Sequence, residues 1–213
     1  MNKIKNIADA ILRAEKVIVY SGAGISTESN IPDFRSPGGV WEKSDHVEFT
    51  HHKFLVSEES REKYWQFSKL MWPKIRDAES NSGHYALAEL YQMGKLDCVI
   101  TQNVDGLHQK AGIPEKKLIE VHGTVKWILC LNCGIRYPRK EIHIRLVSGV
   151  KVPRCDICGG LLKSATVSFG QQMPEIEMQQ AEEKSAACDL FLVAGSSLVV
   201  YPAAMVQNWL SLI

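Results

Sequence analysis

The 213-residue sequence contains no apolar run long enough to cross a bilayer. Its first sixteen residues scatter Lys, Asp, Arg and Glu among apolar positions. They lack the unbroken apolar core and small-residue cleavage site of a secretory signal. Net charge is nearly absent as well: 25 Lys and Arg stand against 24 Asp and Glu, leaving +1. No field over the whole molecule therefore argues for a membrane surface or a specific nucleic acid as partner. There is no internal repeat and no low-complexity segment. These absences point to a reducing cytoplasmic setting, where six cysteines are not expected to form structural disulfides. What remains is ordinary for a globular chain, with 45% hydrophobic and 23% charged residues. The length fits one large domain, or one domain carrying a small insert.

Ile4, Ile7, Ala8, Ile11 and Leu12 recur at helical spacing and predict an amphipathic helix over residues 4–15. VIVY (17–20) follows, a β-branched run that stops at the turn SGAG. LDCVIT (96–101) repeats the design and ends in QNVDG, and DLFLVAG (189–195) ends in two serines. Three apolar strands that end in glycine or polar turns, with helical stretches between them, predict an α/β fold: a Rossmann-like parallel sheet with crossover helices. SGHYALAELYQMG (82–94) is one such helix, with Tyr85, Leu87, Leu90 and Tyr91 among its apolar positions and Gly94 as its C-cap. Cys98 and Cys188 stand alone in largely apolar surroundings and read as small core residues.

The rhythm breaks near residue 127. Cys130 and Cys133 form one Cys-x-x-Cys pair, and Cys155 and Cys158 form a second. A Cys-x-x-Cys turn offers two thiolates from one tight knuckle, and two knuckles complete a tetrahedral zinc shell. Gly134 and Gly159–Gly160 follow the knuckles and leave backbone room around the sulfurs. Four thiolates close the metal's shell, so a structural zinc is expected rather than a catalytic one. Residues 127–162 are predicted to form a small zinc-ribbon module, inserted into a main domain made of 1–126 and 163–213. Arg136, Arg139, Lys140 and Arg145 give the module a mild basic patch with only Tyr137 interleaved, a poor footprint for nucleic acid.

Polar motifs gather at the predicted strand ends. Gly22-Ala23-Gly24 between a strand and a helix start would set free backbone N–H groups against a phosphate. The third glycine of the dinucleotide fingerprint is replaced by Thr27, so a plain tight turn is an equal reading. In SNIPDFRSPGGVW (29–41) an acid, an aromatic and a guanidinium stand together on a loop, Asp33, Phe34 and Arg35. They suggest a lid, or else a solvated loop with Phe34 tucked into the core. In TQNVDGLH (101–108), Gln102 and Asn103 can bond sugar hydroxyls or an amide, and Asp105 can hold a polar group or close an Asx turn. Of seven histidines, His122 before Gly123 is best placed to act as a base. His46, His51, His52 and His143 lie in polar context and are expected to be exposed.

Taken in order, GAGIST, IPDFR, TQNVDGLH, HG, the two Cys-x-x-Cys pairs and GSSL…PA resemble the sirtuin family of NAD-dependent protein deacylases, over about residues 17–202. The resemblance implies that Gly22, Ala23 and Gly24 hold the NAD pyrophosphate with Thr27 nearby. It places Asp33, Phe34 and Arg35 over the nicotinamide ribose. Ile31, Asp33, Asn103 and Asp105 would line the nicotinamide pocket, with Val104 beside them and Gln102 on the ribose. Gly195, Ser196 and Ser197 would meet the adenosine side, and His122 would be the catalytic base. Val167, Ser168, Phe169 and Gly170 would pair with an acetyl-lysine peptide by strand addition. The implied activity is NAD-dependent protein-lysine deacetylation. Mono-ADP-ribosyl transfer at the same site and an inactive NAD- or peptide-binding fragment are the alternatives.

Two departures stand out. The Tyr and Arg that acidic-acyl sirtuins carry after a Trp-x-Phe-like segment are replaced here by Ser68 and Met71, so a neutral acyl group is expected. Gln171 stands where the family often has Glu after Phe-Gly. The chain also stops sixteen residues after Ser197, short of the strand and helix the resemblance leads one to expect, so a C-terminally truncated form with an open sheet edge is anticipated.

Overall fold

The computed structural model describes residues 3–34, 36, 37, 39 and 49–205. Four parallel strands make the main sheet: β1 (Val17–Ser21), β2 (Leu96–Thr101), β3 (Leu118–Glu120) and β7 (Leu190–Ala194), in the order β3-β2-β1-β7. β1 is buried along its whole length because helices cover both faces, which is why VIVY reads as a continuous apolar run. Ile18 and Tyr20 point to one face, where they meet Cys98, Ile100 and Ala181 of helix α7 (Glu175–Ala186). Val17 and Val19 point to the other and meet Leu87 and Ala88 of helix α4 (Ser82–Gln92). The pairing of β1 with β2 slips between Val17 and Ile18, from Leu96 to Cys98. That irregularity lets Leu96 and Val99 serve one face while Cys98 and Ile100 serve the other. Cys98 lies in the core and Cys188 packs half-buried against it, as their surroundings predicted.

Helix α4 begins on a capping box, in which Asn81 accepts from the first turn and His84 returns a ring nitrogen to the Asn81 amide. It ends at Gln92 with Gly94 in the left-handed region, where a glycine is needed. Tyr85 is exposed and His84 fully buried, so the inward face of this helix is turned from the one its apolar pattern suggested. The N-terminal helix α1 (Lys3–Arg13) forms where its periodicity predicts, yet no residue of it is buried. Its apolar stripe has the right period, and Ile4, Ile7 and Leu12 are exposed.

The second sheet is antiparallel and has the order β5-β4-β6, formed by β4 (Gly123–Cys130), β5 (Arg136–Pro138) and β6 (Leu162–Thr166). Its central strand β4 begins before residue 127 and its edge strand β6 runs past residue 162. Helix α6 (Arg139–Val147) adds Ile142 and Leu146 to its core. So does Trp65, fully buried, from the 20-residue helix α3 (Glu58–Asp77), which lies some sixty residues earlier in the chain. Arg139 fastens the two: its guanidinium lies over the rings of Trp65 and Trp72 at 5.8 and 5.4 Å and donates to the Ser68 carbonyl at 2.8 Å. Helix α2 (His51–Val56) packs beside α3 through Phe54 and Tyr64, with ring centroids 4.9 Å apart.

Trp65→Ala should empty the seam between α3 and the second sheet. We expect it to lower unfolding stability by about 3–5 kcal/mol in urea titration, with the main sheet's folding unaffected in kind.

Candidate functional site

The turns after β1 and β7 meet in a contact that only glycines permit. A Cβ on Gly22 would lie 2.8 Å from the Gly195 carbonyl oxygen, and one on Gly24 would lie 2.9 Å from the Gly195 Cα. A Cβ on Gly195, whose φ is +67°, would lie 2.1 Å from the Ile25 amide nitrogen. The amides of Gly22 and Gly24 donate to the Ala194 and Gly195 carbonyls at 3.0 and 2.9 Å, and Ile25 donates to Gly22 at 3.1 Å. These N–H groups are therefore spent inside the protein, contrary to the free donors the motif suggested. Residues Ala23–Ser29 continue as a 3-10 helix, where the Thr27 hydroxyl donates back to the Gly24 carbonyl at 2.9 Å.

Next to this contact, the end of β2 supplies Gln102. Its amide donates to the Ser21 carbonyl at 3.0 Å and its side chain donates to the Ser196 hydroxyl at 2.7 Å. Its own carbonyl accepts from His122 Nδ1 at 3.1 Å. That bond assigns the ring proton to Nδ1 and leaves Nε2 as the lone-pair nitrogen, with no hydrogen bond among the described residues. Burial pushes the His122 imidazole below its ordinary value, while the bond to Gln102 pulls the other way. His122 thus sits at the strand ends, half-buried, and is linked through Gln102 to Ser196. Ser197 is exposed on the same turn.

Asn103 is buried, and its side chain donates to the Gly22 carbonyl at 3.2 Å and the Ser26 hydroxyl at 3.1 Å. Asp105 takes both roles weighed for it. One oxygen accepts from the Leu107 amide at 2.9 Å, closing an Asx turn into helix α5 (Leu107–Lys110), and the other accepts from the Ser26 hydroxyl at 2.8 Å. The Val104 carbonyl accepts from Val125 at 3.0 Å and so ties this loop to β4. Two groups under the loop went unassigned in the sequence, His84 and His108, both fully buried, with ring centroids 5.1 Å apart. His108 Nε2 meets the Ser21 hydroxyl at 2.8 Å, and burial followed by the neighbouring His84 pushes its imidazole down to about 3. The spacing Asn81-x-x-His84, a capping box, was the one signal that could have marked His84.

On the neighbouring loop Ile31 and Asp33 are half-buried, and Asp33 accepts from the amide of Ser36 at 2.9 Å. Phe34 is 45% exposed, which overturns the reading that tucks it into the core. Arg35 and His46 lie outside the described residues. The stretch Val167–Gly170 leaves β6 beside the base: the Val167 amide donates to the His122 carbonyl at 2.9 Å. Gly170 has a φ of +76° and Gln171 closes the turn onto the Ser168 amide at 3.1 Å. The Phe169 carbonyl accepts from the His51 amide at 2.9 Å. His51 and His143 are half-buried rather than exposed, while His52 is exposed as expected. Lys163 is buried where β6 runs toward Val167, and its ammonium donates to the Thr166 and Ser164 carbonyls. Burial pushes it down to about 8.

The four cysteines gather on the far side of the second sheet. Their sulfurs all lie within 4.8 Å of one another, with Cys130 to Cys158 at 3.5 Å and Cys133 to Cys155 at 3.7 Å. Four sulfurs about 2.3 Å from one tetrahedral metal stand about 3.8 Å apart, so the cluster has the dimensions of such a site. A Cβ at Gly160 would press on Cys130 Sγ at 3.0 Å and Cys158 Sγ at 3.1 Å, which explains the glycine there. The Tyr137 hydroxyl lies 3.3 Å from Cys155 Sγ and holds that thiol down to about 6.

A parallel sheet with polar side chains gathered at its strand ends, a histidine beside a strand stub and a cluster of four cysteines defines an α/β enzyme scaffold. The Sir2 family pattern matches residues 22–202, and the chain belongs to that family. It is 44% identical over 201 residues to the NAD-dependent protein deacetylase 1 of Bradyrhizobium diazoefficiens, an alignment covering 94% of this chain and 78% of that protein. To the NAD-dependent protein deacetylase of Thermodesulfovibrio yellowstonii it is 41% identical over 206 residues, covering 97% and 79%. Among solved structures it is similar to a Sir2 bound to a p53 peptide and NAD+, with a TM-score of 0.87 and 36% identity, covering 98% of this chain and 82% of that one.

Gly195→Ala should push the two turns apart, and we expect a melting temperature lower by several degrees together with a disturbed cleft. A second expectation concerns acid. His84, His108 and His122 all have their imidazoles lowered by burial, so between the lowered values and about 6.5 the unfolded chain binds protons that the folded chain refuses. The histidine contribution to stability should be flat above about pH 7 and fall as pH drops below 6.5. Each of these histidines contributes up to about 1.4 kcal/mol per pH unit in urea titrations. Replacing His108 with Leu should flatten that slope.

Proposed function

We propose that the chain is an NAD-dependent protein-lysine deacetylase, which moves the acetyl group of acetyl-lysine onto ADP-ribose and releases nicotinamide. The observation that carries this reading is the His122 ring, held by the Gln102 carbonyl with its basic nitrogen left open at the strand ends. Family membership and the names of the relatives support it. Gly22, Ala23, Gly24 and Thr27, with Gly195, Ser196 and Ser197, would border the phosphate and adenosine side. Gln102, Asn103, Val104 and Asp105, with Ile31, Asp33, Phe34 and Arg35, would border the nicotinamide and its ribose. The hydroxyl, amide and carboxylate groups present suit sugar hydroxyls and a carboxamide.

Bound NAD supplies the glycosidic bond that breaks and the ribose carbon that takes the acyl oxygen. His122 accepts a hydroxyl proton at Nε2, and the Gln102 carbonyl stabilises the imidazolium that results. Phe34, exposed on its loop, is available to fold over the cleft and exclude water. The peptide adds as a strand along Val167, Ser168, Phe169 and Gly170, whose main chain leaves β6 beside His122. Ser68 and Met71 place no cation in the acyl pocket, so a neutral acyl group is preferred. One zinc ion on Cys130, Cys133, Cys155 and Cys158 is structural, since four thiolates leave it no open position. Residues 127–162 then act as a zinc module within a domain formed by 1–126 and 163–213. The setting is cytoplasmic; no described helix is long and apolar enough to cross a membrane.

The test incubates the protein with NAD and an acetyl-lysine peptide and follows nicotinamide and O-acetyl-ADP-ribose together. Both products in equal amounts support the reading; nicotinamide with ADP-ribose-labelled protein would make it a transferase instead. His122→Ala should keep the melting temperature and lose at least about a hundredfold in kcat. The rate should be level above pH 7 and fall through a midpoint below 6.5, because burial keeps the base unprotonated; a midpoint above 7 would remove His122 from that role. Chelating the zinc should unfold the second sheet, seen as lost ellipticity, before any selective change in KM.

A further inference from the structure

Thr166 and Val167 share one peptide unit, and both of its polar atoms are held. The Val167 amide donates to the His122 carbonyl at 2.9 Å. The Thr166 carbonyl accepts from the Lys163 ammonium, which also reaches the Ser164 carbonyl at 3.4 Å. A peptide unit is planar, so its C=O and N–H turn together or not at all. Lys163 is therefore joined to the main chain of His122 through one rigid plane, and the stretch Val167–Gly170 starts from that same plane.

The local structure explains why a side chain has this task. β6 is an edge of the second sheet, with no strand beyond it among the described residues. Its outward groups are met by side chains instead: the Ser164 amide donates to the Tyr64 hydroxyl oxygen at 3.2 Å, and Lys163 supplies the donors for the carbonyls. On the other side the pairing with β4 is irregular here. Ser164 stands opposite Ile128 and Thr166 opposite Gly123, so regular pairing does not fix the end of β6. Further along, the Phe169 carbonyl accepts from the His51 amide and Gln171 closes its turn on Ser168, so the Thr166–Val167 plane is where the stretch is joined to His122. Lys163 is buried and forms no ion pair among the described residues. An apolar side chain there would avoid burying a charge, but it would leave the carbonyls without a donor. A bond from an ammonium is roughly twice as strong as one between neutral groups, which suits a clamp on a single carbonyl.

We infer that Lys163 is a positioning residue: its ammonium fixes the peptide plane between Thr166 and Val167, and through it both the main chain of His122 and the line along which an acyl-peptide adds. The part that concerns the acyl-peptide rests on the deacetylase reading given above; the part that concerns the His122 main chain does not.

The experiment compares Lys163→Met, which keeps the length of the side chain without its donors, and Lys163→Arg, which keeps charge and donors. In ligand-free protein the Val167 amide should exchange with deuterium about tenfold faster in the Met variant and within about threefold of the parent in the Arg variant. The Gly134 amide, bonded to the Cys130 carbonyl at 3.0 Å, is the internal control and should keep the parental rate in both. In steady-state assays the Met variant should lose about tenfold in kcat/KM for acetyl-peptide, with the KM for NAD within about twofold, and the Arg variant should recover most of that loss. Unchanged exchange at Val167 in the Met variant would overturn the proposal. So would an Arg variant no better than Met in both measurements. Equal acceleration at Gly134 and Val167 would do the same, since that is the mark of a general loss of stability. Should the parent show no NAD-dependent turnover, the deacetylase reading fails while the exchange rates still decide the role of Lys163.

Discussion

The interlocked glycines at Gly22, Gly24 and Gly195 are the constraint on which the rest of the cleft depends. No side chain fits between the two turns, so the ends of β1 and β7 come together as closely as two backbones allow. That approach brings Ser196 within 2.7 Å of the Gln102 side chain. Gln102 is pinned at its amide to Ser21, so its carbonyl has one place to point, and that place is His122. The orientation of the His122 ring is therefore tied to a backbone contact between the two neighbouring strands. The dependence also explains why the glycines are needed even though their own amides are spent within the protein.

Around this contact hydrogen bonds balance most of the buried polarity, His108 Nδ1 being the buried ring nitrogen there that has no partner among the described residues. Asn103, His84, His108, Ser21, Ser26 and Thr101 are all buried under the cleft, and all are joined in chains that end at Asp105 or at the main chain. Such a network holds its members in one arrangement, because each group that moved would leave another unsatisfied in a low-dielectric setting. The second sheet is stabilised differently, by an apolar seam around Trp65 and by the Arg139 guanidinium between two indoles. Its strand β6 runs directly into Val167, so the main-chain bond from Val167 to His122 depends on this sheet staying folded.

The legibility of the chain followed the range of the interactions involved. VIVY, LDCVIT and DLFLVAG were recognisable as strands because burial on both faces writes itself as unbroken apolar runs, and all three pair in one parallel sheet. The three-residue β3 was not visible, being too short to carry a period. The cysteine pairs announced their cluster through spacing alone. By contrast, the exposed stripe on α1 and the outward turn of Tyr85 show periodicity giving an element without the face it buries. His51 and His143 were misjudged because polar neighbours in the chain say little about neighbours in space.

By itself the sequence determined the element types, the parallel sheet, the thiolate cluster and the order of motifs that marks a Sir2 chain. Those properties are local, set by periodicity, backbone freedom and ligand spacing. Only the tertiary structure decided that Trp65 belongs to the second sheet, that Gly22 and Gly24 answer to Gly195, which tautomer His122 adopts, and that His84 is bonded to Ser26. Each of these is a contact between residues 20 to 173 positions apart or a consequence of one, and a hydrogen bond or steric clash depends on distance in space, of which sequence spacing carries no record.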